Sequence, residues 1–128
     1  MPGWQEFLDM ATKDPGVKSA GIFGQDGVSW AATDGLAPSP AEVQELVAGV
    51  HDNGRLQANG AVVAGAKYMF LAPLSNLGPG LSGVVARKGS TTLEVILTGK
   101  AVVLATKEGL AELTGPAFAA RQLVDHGF

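Results

Sequence analysis

Apolar residues recur along this chain with two different periods, and the period changes twice. Near the start, Trp4, Phe7, Leu8 and Ala11 fall at helical spacing, with Glu6 and Asp9 on the other side. That spacing predicts an amphipathic helix over Gly3–Thr12, ended by Asp14-Pro15-Gly16. Val17–Phe23 and Val28–Thr33 then alternate loosely around Asp26-Gly27, the pattern of a β-hairpin. A second helix opens at Pro38-Ser39-Pro40. Ser39 is placed as N-cap, Pro40 as first helical residue, and Glu42 three residues on to complete a capping box. Val43, Leu46, Val47 and Val50 give this helix one apolar face, and Asn53-Gly54 reads as its stop.

From Ala61 the pattern is that of strands. The predicted strands are Ala61–Ala64, Lys67–Pro73, Leu81–Arg87, Thr91–Thr98 and Ala101–Thr106, with glycine-bearing turns between them. A last helix follows Thr114-Gly115-Pro116, with Phe118, Ala119, Gln122 and Leu123 on one side and Gly127 at its end. Short sequential strands on tight turns predict an antiparallel sheet rather than parallel crossovers. The order helix, hairpin, helix, meander, helix therefore predicts an α+β domain of about six to seven strands with helices covering the sheet.

Length and composition narrow the function classes. The 128 residues suit a single domain, 1–128. There is no cysteine, which excludes disulfide scaffolds, thiol redox motifs and cysteine zinc sites. His51 and His126 stand far apart and make no metal-ligand pattern, so neither a metal nor a cofactor is expected. A net charge of −3 argues against nucleic acid as the main ligand. The longest apolar runs, such as Ala101–Ala105, fall far short of a membrane span, and the start shows no signal-peptide pattern. The expectation is a monomer in the cytosol.

No catalytic constellation is expected either. No Gly-x-Ser-x-Gly or Gly-Lys-Ser/Thr occurs, no Gly-x-Gly-x-x-Gly stands between a strand and a helix, and Gly99-Lys100 reads as a hairpin turn. The informative feature is the distribution of eight aromatic residues. Trp4 and Phe7 lie near one end, Phe128 is the last residue, and Trp30 is on an early strand. If the terminal helices lie side by side on the sheet, these rings either pack helix onto sheet or form a shallow groove. An aromatic groove of that kind captures polyproline II peptides. The second feature is Ala64-Gly65-Ala66-Lys67-Tyr68-Met69-Phe70-Leu71 with Arg87-Lys88-Gly89. Its cations are either solvated side chains or the basic rim of an apolar protein-binding face. On an unbroken strand, Lys67 and Leu71 share a side and Phe70 faces the other.

Taken together, these blocks resemble the profilin family. Gly3-Trp4-Gln5-Glu6-Phe7-Leu8-Asp9 is similar to its opening, and Ala20-Gly21-Ile22-Phe23-Gly24 with Asp26-Gly27 and Ser29-Trp30-Ala31 to its first hairpin. Ala64–Met69 is similar to its central strand pair, Thr98–Val103 to its late hairpin, and Lys107-Glu108-Gly109 to a stretch of its animal members. The resemblance implies a non-enzymatic cytoskeletal protein whose terminal helices share one face of the sheet and whose smaller helices take the other. It implies binding to monomeric actin through Lys67, Phe70, Leu71, Arg87 and Lys88. It implies binding to proline-rich proteins through Trp4, Phe7, Trp30, Leu123 and Phe128, and to phosphoinositides through Arg87 and Lys88. Gln122 stands where the family often carries an aromatic ring or histidine, and Ala72 where animal members are often basic. The alternatives are an adaptor of this fold for proline-rich partners or lipids with little actin binding, and a small-molecule enzyme or sensor of similar layout.

Overall fold

The computed structural model describes residues 8–9, 12, 17–33, 38–74, 81–108, 120–122 and 124–125. Seven strands form one antiparallel sheet: β1 (Val17–Gly24), β2 (Ser29–Ala32), β3 (Ala61–Val63), β4 (Ala66–Leu74), β5 (Ser82–Lys88), β6 (Thr91–Leu97) and β7 (Ala101–Glu108). Their order across the sheet is β2-β1-β7-β6-β5-β4-β3. The last five strands are a simple meander. The β1–β2 hairpin joins it where β1 pairs with β7, from Val17 opposite Lys107 to Gly24 opposite Ala101. Both edges are short, with four residues in β2 and three in β3. Short edges leave few unpaired backbone groups for another chain to join.

Alternation sends each strand's side chains to two separate cores. Phe23, Val84, Ala86, Leu93, Val95, Leu97, Val102 and Leu104 face one side. Helices α1 (Pro40–His51) and α2 (Asn53–Asn59) cover it with Val43, Leu46, Val50 and Leu56. Ala20, Ile22, Ile96, Ala101, Val103 and Ala105 face the other side, where Leu8 and Ala120 are buried against them. Leu8 and Asp9 are helical, as is Ala120, so chain-terminal segments meet this second face as the sequence predicts. The middle strands are buried on both faces, which is why β6 and β7 read as nearly continuous apolar runs.

The capping box is present as expected. The Glu42 amide donates to Ser39 Oγ at 3.2 Å, and the Ser39 amide to Glu42 Oε1 at 2.8 Å. Glu42 does more than cap. Its carboxylate also accepts the amides of Ala64 at 3.0 Å and Gly65 at 2.9 Å. Those two residues form the β3–β4 turn, with φ of 51° and 80°. Alanine enters the left-handed region at a cost, which the two charge-assisted hydrogen bonds offset.

One prediction needs correcting. Asn53-Gly54 breaks the helix direction but does not end helical structure, because α2 begins at Asn53. The Asn53 side chain donates to the carbonyls of Gly49 and Val50, satisfying the open end of α1 while its own backbone starts the next helix. Leu56 is the residue that buries α2. Arg55 of α2 also forms a two-pronged exposed pair with Glu45 of α1, Nε to Oε1 and Nη2 to Oε2 at 2.9 Å.

Candidate binding surfaces

Three β-bulges decide where the candidate side chains point. On β2, Ile22 is opposite Ala31 and Phe23 is opposite Ser29, so Trp30 is the extra residue. On β4, Phe70 is opposite Ala86 and Ala72 is opposite Val85, so Leu71 is the extra residue. On β1, Val17 is opposite Lys107 and Ser19 is opposite Thr106, leaving Lys18 extra. A bulge bends its strand and re-aims one side chain. Here each bulge carries a residue that the regular pleat would have placed elsewhere.

Trp30 packs, half-buried, against the core that holds Leu8 and Ala120. Its indole crosses β1 at Gly24, where an added Cβ would stand 3.3 Å from Trp30 Nε1. The ring can lie this close because that strand position has no side chain. Of the five nominated groove residues, Trp30 is the one within the described structure; Trp4, Phe7, Leu123 and Phe128 lie outside it. Trp30 is on the face that the terminal segments share, at the β2 edge.

The second candidate surface is four to five strands away, roughly 19–24 Å at the usual spacing. Met69 is directly opposite Arg87, and both point to the same face as Trp30. Met69 is 71% exposed and Leu71 48%, so β4 presents two large apolar side chains to solvent beside the cation. Exposed apolar area of this kind marks a docking surface when cations rim it. Phe70 turns to the opposite side, half-buried with Tyr68 against the helical core. It rejoins the cations around the end of the sheet. A cleft between α2 and the β4–β5 pair is lined by Leu56, Lys67, Met69, Phe70, Arg87 and Lys88. Four of the five nominated actin-side residues thus share one cleft, while Leu71 stands on the bulge outside it.

Met69 was absent from the nominated set. Its signal was its position between Lys67 and Leu71 on alternating residues of one strand. The bulge at Leu71 is what keeps Met69, Leu71 and Ala72 all exposed along β4.

Charge at the two surfaces differs. Trp30 packs on apolar core residues, with Asp26 the charged side chain nearest its indole at Gly24. The β5–β6 end carries Arg87, Lys88 and Lys18, answered by Glu108. Glu108 Oε1 lies 3.5 Å from Lys18 Nζ, and Oε2 accepts the Ser90 hydroxyl at 2.8 Å. The Ser90 hydrogen bond, followed by the attraction of Lys18, outweighs desolvation and holds the Glu108 carboxyl below the usual carboxylate range. No helix among the described residues is long and apolar enough to cross a membrane.

Comparison with known proteins is consistent along nearly the whole chain. The family model described as Profilin matches residues 2–120. Profilin of Bombyx mori is 31% identical over 108 residues, covering 82% of this chain and 79% of that one. Profilin-2 of Acanthamoeba castellanii is 30% identical over 102 residues, 79% of this chain and 76% of its own. The crystal structure of Acanthamoeba castellanii profilin II superposes with a TM-score of 0.75 at 25% identity, covering 98% of this chain and all of that one. Mouse profilin IIa, solved in complex with a double repeat from the FH1 domain of mDia1, superposes with a TM-score of 0.72 at 23% identity over 99% of this chain and 100% of that one.

Proposed function

Because the chain belongs to the profilin family, we propose that it is a cytoplasmic, non-enzymatic regulator of the actin cytoskeleton, binding monomeric actin and proline-rich ligands at separate surfaces. The observation that carries this reading is the family match across residues 2–120, joined to two bulge-centred surfaces at opposite ends of the sheet. Lys67, Phe70, Leu71, Arg87 and Lys88 are assigned to actin, and Met69 is added to them. The apolar residues supply contact area, and the cations steer toward an acidic partner surface. Trp30 is assigned to a groove for proline-rich peptides, together with Trp4, Phe7, Leu123 and Phe128. Flat aromatic rings suit the preformed polyproline II ligand. The domain acts as a monomer, 1–128.

Arg87 and Lys88 also give the protein a weak, salt-sensitive attraction for phosphoinositide headgroups. Exposed charges are screened beyond about 8 Å at physiological ionic strength, and the net charge is −3. Tight vesicle binding that persists in high salt would contradict this.

The deciding experiment titrates monomeric actin and a polyproline peptide in parallel, with tryptophan fluorescence reporting the peptide. One-to-one actin binding, together with peptide binding lost in Trp4→Ala, is expected. Peptide binding without actin binding would assign the adaptor alternative. A calorimetrically silent peptide at millimolar concentration would remove the groove.

A further inference from the structure

The β5–β6 connection is two residues long, since Lys88 pairs with Thr91 and leaves Gly89 and Ser90 at the tip. Gly89 has a φ of 61°, as the first central position of a tight hairpin turn of the II′ kind requires. Nothing lies within 4 Å of where a Gly89 Cβ would stand, so the tip is uncovered. Ser90 is exposed there, while its neighbour Thr91 is half-buried.

An unusual amount of charge surrounds this one hydroxyl. Arg87 and Lys88 precede it by three and two residues, and Arg87 Nε turns back to donate to the Gly89 carbonyl. Ser90 Oγ and Lys18 Nζ occupy the two oxygens of the same Glu108 carboxylate, at 2.8 and 3.5 Å. Lys18 is aimed there by the β1 bulge. An open cleft beside the turn is lined by Lys18, Lys88, Ser90 and Thr91.

We propose that Ser90 is a phosphorylation site for a protein kinase that selects cations ahead of its acceptor, and that the phosphate settles between Lys18 and Lys88. In the transfer, Ser90 Oγ bonds to the γ-phosphorus of a nucleoside triphosphate as the bond to the bridging oxygen breaks. The hydroxyl proton passes to a basic carboxylate of the kinase, and the nucleoside diphosphate leaves. The product cannot keep the Glu108 contact, because two anions would then meet at hydrogen-bond distance. Glu108 is displaced, and Lys18 transfers to the phosphate. Lys18, Arg87 and Lys88 with Glu108 sum to +2 nearest the hydroxyl, with Lys67 and Lys107 beyond them. A phosphate of about −2 offsets the nearest cations. Phosphorylation thereby weakens the steering charge of the actin surface and leaves the Trp30 end untouched. That consequence rests on the actin reading; the site itself does not.

The test treats the full chain with a purified serine/threonine kinase that requires arginine three residues before its acceptor, with ATP and magnesium. Peptide mapping should find one phosphate on Ser90, absent from Ser90→Ala and retained in Thr91→Ala. Phosphorus NMR should show it titrating below a phosphoserine peptide, and moving back up in Lys18→Ala. Association with actin should then slow by about tenfold with polyproline binding unchanged. If a free peptide of residues 84–94 is modified but the folded chain is not, the site is closed and the proposal fails. A titration unchanged by Lys18→Ala overturns the docking. Normal actin association by the phosphorylated chain overturns the regulatory step. Should the unmodified chain not bind actin, the functional reading and that step fall together, while mapping and titration still decide the site.

Discussion

The two faces of the sheet are built from the same alternating strands but filled with side chains of different size. Toward α1 and α2 the strands present Phe23, Leu93, Leu97 and Leu104 beside Val84, Val95 and Val102, and Leu46 and Leu56 meet them from the helices. Toward the terminal segments stand Ala20, Ala101, Ala105 and Ala120, with Ile22, Ile96 and Val103 between them. Large residues suit helices held by their own connections, because interdigitation over many contacts fixes the layer. Small residues let a covering helix come close to the strands, as Ala20 opposite Ala105 allows. The first face is therefore a stability core. The second is lined by smaller strand residues and is the thinner face; Trp30 and the Met69–Arg87 pair lie at its two ends, while Phe70 reaches the latter corner from the helical face.

The largest test of this contrast is Leu93→Ala on the helical face. Leu93 is fully buried, and truncation should cost about 2–5 kcal/mol in chemical denaturation. A cost under about 1 kcal/mol would mean that this face is not the denser core.

The thinner face should instead resist enlargement. Ala105→Leu places extra carbons between β7 and the covering segments, and overpacking there should cost about 1–3 kcal/mol. It should also weaken polyproline binding, since the groove depends on how closely those segments lie. Ala86→Leu, on the opposite face, should cost stability without that functional loss. Equal peptide affinity in both variants would dissolve the distinction.

Much of this was legible in the sequence, for identifiable reasons. The first hairpin is legible through loose alternation and the later five strands through β-rich runs between glycine-bearing turns, while Ser39-Pro40 with Glu42 marks α1 through cap chemistry. Helix α2 did not, because Asn53-Gly54 is a stop signal and Leu56 is the lone large apolar residue after it. Tertiary contact between Leu56 and α1 decides that segment, not periodicity. The bulges were also hidden. A period-two reading assumes unbroken pleating, so it sets Lys67 with Leu71 and against Phe70 and passes over Met69, whereas the bulge at Leu71 leaves Lys67 and Phe70 in one cleft without Leu71. The functional roles themselves came from resemblance rather than pattern, and four of the five groove residues lie outside the described structure.

A smaller effect is expected at Glu42, which ties α1 to the β3–β4 turn. Burial opposes its charge, but the backbone amides of Ser39, Gly65 and Ala64 outweigh that and lower its pKa. A depressed folded pKa means the stabilisation is full above the unfolded value, about 4.3. It is lost as pH falls through the lower folded value. Glu42→Gln should cost about 1 kcal/mol at neutral pH and flatten the acid limb of the stability curve. Amide exchange should quicken at Ala64 and Gly65 in particular. An unchanged acid limb would show that the turn holds without the carboxylate.

The smallest effect on folding belongs to the charges that matter most for association. Arg87→Glu with Lys88→Glu alters an exposed strand end that contributes little to the core, so the melting temperature should stay within about a degree or two. Actin association should nevertheless slow by roughly tenfold or more at low salt, because steering charge acts on the encounter rate. The difference from wild type should shrink as salt is raised, since screening removes the same interaction from both proteins. Dissociation should change less, because Met69, Leu71 and Phe70 keep their apolar contacts. Polyproline affinity should be untouched, with Trp30 roughly 19–24 Å away across the strands. A double variant that binds actin normally would remove this strand end from the interface. Matching losses for actin and peptide would mean that the two ends of the thinner face do not act as separate surfaces.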